Sequence, residues 1–501
     1  MSESATGLAG VLKRGATMSA VGLIVAQCAT VVQTIVLGRL LGPTEVGIFM
    51  AGSVLIGFLV TFSQGSLVQA LVHRDGDIEQ AANTALVATF VTGLLGTLAV
   101  LAAAPVIGML FHSSEVALIA AATSGVMLLH VCASVPDSLM QRRFQFTRQM
   151  IITPAVSISF AAVSIVFATM GYGAWAMVIG WYASTVTAVV LSWWMARWRP
   201  FAARFSWPVW REMARYSFPL LLDSIAERLR EVFEQLVVGR AMGTDVLGQY
   251  RYAYRLASLP SLAVVTVCSH VLFPAFSRIS DDKHRFKDAY LRALGWIWLA
   301  AAPLAAVLVI TGEALVVLLL GEEWRGAGVA TAAMAGMGLG AALNSVNGEA
   351  IKGAGRSSLL MWSPALALGV GVPAILLLLP YGLFGVSIAI SATCLVVGAV
   401  NLALAHRVVG TSRREISGCL VPPTIAALIA TAAVLPLEQF VIESDRQAVA
   451  QGLAWVVAEC VLLAGVYLAA LRVVSPSRFR SVSTAVAGVV TRAAARSRRS
   501  S

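Results

Sequence analysis

Runs of about twenty apolar residues follow one another along almost the whole chain, parted by short connectors that hold most of its charge. A helix of that length crosses about 30 Å of hydrocarbon. In lipid each backbone N–H and C=O must find its partner inside the segment, so these runs have to be helices. Bounded by charges and turn residues, the spans fall at 16–41, 45–70, 81–104, 115–139, 151–171 and 173–196, and then at 213–240, 246–272, 289–311, 327–350, 358–380, 382–406, 416–436 and 447–471. With 58% of residues hydrophobic and 12% charged, no soluble domain of useful size fits between them. The expected fold is an all-α polytopic membrane protein with 14 transmembrane helices.

The basic residues test that count independently. With the N-terminus on the cytoplasmic side, alternate connectors and the two ends carry 28 of the 36 Lys and Arg, from Lys13 to Arg499. The opposite connectors carry only Arg39, Arg240, Arg325 and Arg446, and the other four lie inside spans. A missed span would scramble this alternation, so both ends are expected in the cytoplasm. The net charge of +11 therefore reflects orientation and gives no reason to expect nucleic acid as a partner. Residues 1–14 are short and polar and end in Lys13-Arg14 before a long apolar run without a convincing cleavage site, so an uncleaved first helix is expected rather than a signal peptide. The six cysteines show neither metal-ligand spacing nor a disulfide framework, and no cofactor is implied.

An internal repeat divides the chain. VLGRLLGPTEVGIF (36–49) aligns without gaps on VVGRAMGTDVLGQY (237–250), so that Gly38, Arg39, Gly42 and Gly47 meet Gly239, Arg240, Gly243 and Gly248. Each copy closes the tight turn between the first two spans of a half. Six spans per half make parallel repeats related by an axis along the membrane normal. The expected organisation is an N-terminal lobe at 1–196, an interfacial linker at 197–212 and a C-terminal lobe at 213–407. Two added spans at 408–472 and a basic cytoplasmic tail at 473–501 complete it. The linker RWRPFAARFSWPVWRE suits the headgroup layer, where rings and guanidiniums meet membrane lipids.

One span departs from its neighbours. YSFPLLLDSIAERLREVFEQLVVGR (216–240) is long enough to cross a bilayer yet carries Asp223, Glu227, Arg228, Arg230, Glu231 and Glu234. At 100° per residue Asp223, Glu227, Arg230 and Glu234 share an arc of about 60°, with Glu231 and Arg228 beside them. A charge at the bilayer centre costs at least roughly 2.5–3.5 kcal/mol, so such a face needs a hydrated cavity walled by protein. Arg251 and Arg255, one turn apart on the next span, balance the excess acid. A structural salt-bridge network between two helices would use the same residues. Elsewhere Gln27 and Gln33 lie on the first span, Gln64 on the second, Asn344, Asn347 and Glu349 end the tenth, and Glu459 stands alone in the fourteenth, where a hydrogen bond to a partner helix is its expected role.

Enzymatic signals are weak. The stretch Lys352-Gly353-Ala354-Gly355-Arg356-Ser357 lacks the preceding strand and the Gly-Lys-Ser/Thr ending of a phosphate loop. Gly336, Gly338 and Gly340 lie inside a span, where small residues let helices approach. The histidines form no spaced group, and no outward loop is long enough for a catalytic constellation. The chain is not expected to be an enzyme.

The repeated Gly-Arg-x-x-Gly turn, the charged seventh span running into GRAMGTDVLGQYRYAYRLASLP, and the following FPAFSRISDD resemble the Wzx-type flippases of bacterial polysaccharide synthesis, within the superfamily of multidrug extruders and lipid II flippases. The resemblance implies two six-helix lobes in a V around a central, mostly cationic cavity, in the bacterial cytoplasmic membrane. It implies as substrate an oligosaccharide on undecaprenyl diphosphate, carried to the outer leaflet, with a polymerase and a chain-length regulator as further partners. Arg228, Arg230, Arg251 and Arg255, helped by Gln27 and Gln64, are the expected contacts to diphosphate and sugar, because a guanidinium binds phosphate bidentately and stays charged. At rest Arg230, Arg251 and Arg255 would pair with Asp223, Glu227 and Glu234. Substrate phosphate would displace carboxylates among Asp223, Glu227, Glu231 and Glu234, which then take up H⁺ or Na⁺ and couple transport to an ion gradient. A cation-coupled extruder of small amphipathic cations and a scaffold for a synthase complex are the competing readings.

Overall fold

The computed structural model describes residues 2–65, 70–71, 76–143, 146–200, 203–268, 272–481 and 483–484. Among them the chain is helical throughout, and it falls into two compact units, Met1–Tyr252 and Ala253–Ser501. Ten helical stretches among the described residues are long and apolar enough to cross a membrane. Two of these, Val25–Val60 and Ser357–Val409, each take in two of the spans expected from sequence.

The first unit begins with α1 (Ser2–Gly65), a helix broken at Gly42, where φ is 69°. It continues through α2 (Ile78–Leu110), α3 (Ser114–Arg142), α4 (Phe146–Thr169), α5 (Ala174–Ala196) and α6 (Trp207–Met242) into the first turns of α7 (Thr244–Val267). Local chemistry sets the boundaries. Asp77 accepts the Glu79 and Gln80 amides at the start of α2, and Ser113 accepts that of Val116 at the start of α3. Glu45 reaches across to accept the Ala174 amide at 2.7 Å, capping α5 from another helix. The turn between α6 and α7 is made by Gly243 at φ 91°, ψ 172°, close to the φ 69°, ψ 173° of Gly42. The sequence repeat is thus a backbone repeat, built on a left-handed conformation that glycine adopts without a Cβ clash. The helix α6 starts at Trp207, so the last third of the linker expected at 197–212 is its first turn, with Trp207 and Trp210 stacked at 4.5 Å.

The second unit holds the rest of α7, α8 (Phe273–Arg278), α9 (Lys283–Leu320), α10 (Arg325–Ala333), α11 (Ala335–Gly353), α12 (Ser363–Leu378), α13 (Gly382–Val409), α14 (Arg413–Leu437) and α15 (Val449–Val474). At 38 residues, α9 is about 57 Å long, longer than a hydrocarbon core of about 30 Å, and its charges lie in its first turns. Small residues bring α11 against α13, as their place inside a span predicts. A Cβ on Gly340 would fall 2.4 Å from the Cys394 carbonyl, and Ser391 of α13 donates to the carbonyl of Ala333, the last residue of α10, at 2.8 Å. The pair α14 and α15 docks on α9. Trp298 Nε1 donates to the Leu420 carbonyl at 3.0 Å, Tyr467 donates to that of Leu299 at 2.9 Å, and Lys287 meets Glu415 at 2.8 Å. The connectors are shorter than the sequence suggests: the stretch read as a loop at 312–326 is helix up to Leu320 and resumes at Arg325.

Candidate functional site

The ionised face of α6 resolves into two networks of different character. In the first, Glu231 is shared by two arginines, one per oxygen: Arg228 Nη1 donates to Oε2 at 2.5 Å, and Arg251 Nη1, from α7, donates to Oε1 at 2.8 Å. All three keep solvent contact, with side-chain exposures of 44% for Arg228, 25% for Glu231 and 24% for Arg251. In the second, one turn around the helix, Glu234 is buried and accepts from Arg230 on one oxygen and from the Tyr250 hydroxyl, at 2.8 Å, on the other. The i,i+4 spacing on one helix makes the Arg230–Glu234 pair, and Tyr250 locks it from α7.

The first network faces a cavity of about 250 Å³. Arg228, Glu231, Gln235 and Arg251 form one wall; Phe49, Met50, Ser53 and Phe58 of α1 face them, with Phe160 and Trp181 closing the side. Phe49 and Trp181 meet edge-on with centroids 5.8 Å apart. The cavity has two guanidiniums to one carboxylate, so an anion can exchange for Glu231 without leaving either arginine unpaired. Met50 and Arg251 both line it and occupy equivalent places in the repeat, so the charge is supplied by the second copy alone.

Beside the cavity the two repeated turns pack on each other. A Cβ on Gly47 would fall 1.7 Å from the Thr244 carbonyl oxygen, and one on Gly248 would fall 2.0 Å from that of Pro43. The contact is reciprocal at the repeat offset of 201, and the Thr44 hydroxyl donates to Asp245 across it at 3.3 Å.

The expected site residues divide accordingly. Arg228, Glu231 and Arg251 come together at the cavity, whereas Arg230 and Glu234 form the buried pair. Arg251 takes Glu231 as its partner, and not one of the three acids that charge balance offered, because the crossing of α6 and α7 brings position 231 to it. Arg255 lies one turn further along α7, half-buried and with partners of its own. Gln27 is exposed on α1 and does not line the cavity. Asp223, Glu227 and Gln64 lie on helical backbone, but their side chains are outside the described residues. Gln235, buried at the cavity wall, was not singled out in the sequence; its signal was its place one turn beyond Glu231. Among the described residues no cluster of His, Cys, Asp or Glu could hold a metal ion.

Comparison with known proteins agrees with this fold. The chain is 24% identical over 291 residues to the "Succinoglycan biosynthesis transport protein ExoT" of Rhizobium meliloti (strain 1021), covering 58% of each chain. It is 24% identical over 314 residues to the "Lipopolysaccharide biosynthesis protein WzxC" of Escherichia coli (strain K12), covering 62% of this chain and 63% of that one. It thus spans about six tenths of the length of these relatives. Among solved structures, "Lipid II flippase MurJ, inward closed conformation" superposes with a TM-score of 0.74 at 13% identity, over 91% of this chain and 98% of that one, a likeness of fold. An inward-facing multidrug resistance MATE family transporter of the MOP superfamily superposes with a TM-score of 0.64 at 16% identity, over 77% and 94%. The family model described as "Polysaccharide biosynthesis protein" matches residues 36–328, more than half of the sequence, and the chain belongs to that family.

Proposed function

We propose that this protein is a flippase that moves undecaprenyl-diphosphate-linked polysaccharide repeat units across the bacterial cytoplasmic membrane by ion-coupled alternating access. The observation that carries the reading is the sharing of Glu231 between Arg228 and Arg251 at the mouth of an aromatic-walled cavity. A diphosphate must cross about 30 Å of hydrocarbon while its polyprenyl chain can stay in lipid. Arriving at Arg228 and Arg251, it takes over their N–H donors and releases the Glu231 carboxylate. The freed carboxylate then takes up H⁺ or Na⁺, so loading of substrate and loading of the ion are linked. The buried Arg230–Glu234–Tyr250 set keeps α6 and α7 in register while this happens. Asp223, Glu227 and Arg255 are assigned to the same ionised path along these two helices.

The fourteen spans of this proposal split α1 at Gly42 and Ser357–Val409 before Gly382, and add α6 and α7, whose charges keep them below the hydropathy of a lipid-facing helix. Lobes at 1–196 and 213–407, added spans at 408–472 and cytoplasmic termini complete the proposed topology. The reciprocal Gly47–Gly248 contact is assigned as the closure at the outer end, where the two copies of the repeat meet. A cation extruder is disfavoured by the two-to-one excess of guanidinium over carboxylate in the cavity.

The test is export of labelled lipid-linked oligosaccharide in a deletion strain complemented with Arg228→Ala/Arg251→Ala, with and without an ion gradient. The proposal predicts loss of export with the variant present in the membrane at the parental level. Undiminished export would remove these residues from the mechanism.

A further inference from the structure

Away from the ionised cavity, a second pair of acids is buried in the two helices that lie outside the repeats. The buried stripe of α15 runs Gly452, Val456, Glu459, Leu463, Tyr467, and that of α14 runs Ala426, Ala430, Val434 and, one turn past Val434, Glu438. Each stripe is apolar except for its acid. Glu459 is 2% exposed and Glu438 is 7% exposed. No protein N–H or O–H donor reaches either oxygen of Glu459, and the group set against it, close enough to share a hydrogen bond, is the Glu438 carboxyl. Glu438 is held differently: its Oε2 accepts from the Ser444 hydroxyl at 2.9 Å and from the Ser444 amide at 3.4 Å.

The backbone around the pair is specialised. Glu438 opens a π-helical turn over Glu438–Ile442, and that turn ends in Glu443 at φ 45°, a left-handed conformation in a non-glycine residue. Such features concentrate where a site over-determines the chain. The turn is pressed onto α15 at Gly452, where a Cβ would fall 2.5 Å from the Ser444 carbonyl oxygen. Glu438 also lines a cavity of about 420 Å³ whose other polar walls are Glu313, Arg325, Gln439, Glu443, Asp445 and Arg446. Glu459 does not line this cavity.

The charged groups around the pair do not neutralise it. Arg325 is committed to Glu313 from α9 at 2.5 Å, to Glu322 at 2.5 Å and to Asp445 at 2.6 Å, and Arg446 meets Glu443 at 2.5 Å. On α15 the neighbouring titratable group is the Cys460 thiol. A charge on Glu459, buried without a cation or a donor beside it, is costly, and a single proton shared with Glu438 removes that cost. A metal ion needs more oxygen ligands than two carboxyls and a serine supply. We propose that Glu438 and Glu459 form a proton-binding site, holding one proton that exchanges with water through the cavity at Glu438. Glu438 takes the proton from a hydronium ion in the cavity, leaving water, and passes it to a Glu459 oxygen; the return to water runs by the same route.

Infrared spectroscopy of the full-length protein in lipid nanodiscs, recorded through a pH titration, tests this. The expected result is a protonated-carboxyl C=O band at neutral pH that is lost in Glu459→Gln and displaced in Glu438→Gln, with one fewer proton titrated in Glu459→Gln. Transfer to D₂O should shift the band within the time of buffer exchange. Glutamine keeps the shape and neutrality of a protonated Glu459, so this variant folds under the proposal. Should it fail to fold, Glu438→Gln alone still reports through the band position. Absence of the band, or a band unmoved by both substitutions, overturns the site. A band that does not exchange in D₂O overturns the access route, and one abolished by Na⁺ at constant pH overturns the assignment to a proton.

Discussion

Gly47 and Gly248 stand 201 residues apart in sequence and occupy equivalent places in the repeat, and each is packed against the backbone of the other's turn so closely that neither has room for a methyl group. A contact that maps onto itself under the repeat is what a two-fold arrangement leaves where its axis passes through the protein. Gly47→Val should prevent the two turns from meeting, at an overpacking cost of about 1–3 kcal/mol. The expected outcome is a protein that reaches the membrane but loses most export, measured against parental abundance.

The same contact can be trapped. With Thr44→Cys and Asp245→Cys in a background lacking the six native cysteines, an oxidant should cross-link the turns, because these side chains already meet at 3.3 Å. Export should stop on oxidation and recover with reductant. Full export by the cross-linked protein would show that the turns need not separate.

Glu231 and Glu234 are three residues apart and should fail in different ways. Removing the buried Glu234 carboxylate as Glu234→Ala breaks the network with Arg230 and Tyr250, a loss of about 3–5 kcal/mol. Reduced abundance and a lowered melting temperature are expected. Glu231→Gln, at a hydrated position, should leave melting nearly unchanged and weaken the dependence of export on the ion gradient. Equal destabilisation by both would place Glu231 in the structural network.

Arg251→Lys separates charge from geometry. Lysine keeps the cation but not the planar fork that can pass from carboxylate to diphosphate. A hydrogen bond to a charged group contributes about 1.5–3 kcal/mol, so a loss of roughly tenfold or more in apparent affinity for substrate is expected, with the protein stably inserted. Transport titrations over lipid-linked substrate concentration would read it.

Tyr250→Phe removes one hydroxyl from the buried pair and nothing from the cavity. It should lower stability by about 0.5–1.5 kcal/mol, seen as a small fall in melting temperature, without changing the ion dependence of export.

The spans, the repeat and the charged helix pair were legible in the sequence because each leaves a periodic or compositional mark. Gly42 and Gly243 were visible as aligned glycines, and their matching ψ values of 173° and 172° follow from the same local requirement. Spacing put Arg230 on one arc with Asp223, Glu227 and Glu234, and the pair that forms with Glu234 lies within that helix. Spacing could not carry Arg251 to Glu231, since that meeting depends on how two helices cross. The aromatic wall of Phe49, Phe58 and Trp181 was hidden for a related reason: in a membrane span an apolar side chain facing a cavity reads like one facing lipid. Glu459 was noticed as a lone acid, but its neighbour Glu438 stood at a span end and passed for a loop residue, because the π turn that folds it inward has no sequence signature.

Arg325 joins Glu313 on α9, Glu322 at the entry to α10 and Asp445 in the turn before α15, while Lys287 and Trp298 hold α14 near the other end of α9. Fastened at both extremities of one 38-residue rod, the last two helices are passengers with fixed seats. Whenever α9 tilts they must tilt with it, and whatever their buried acids carry travels along.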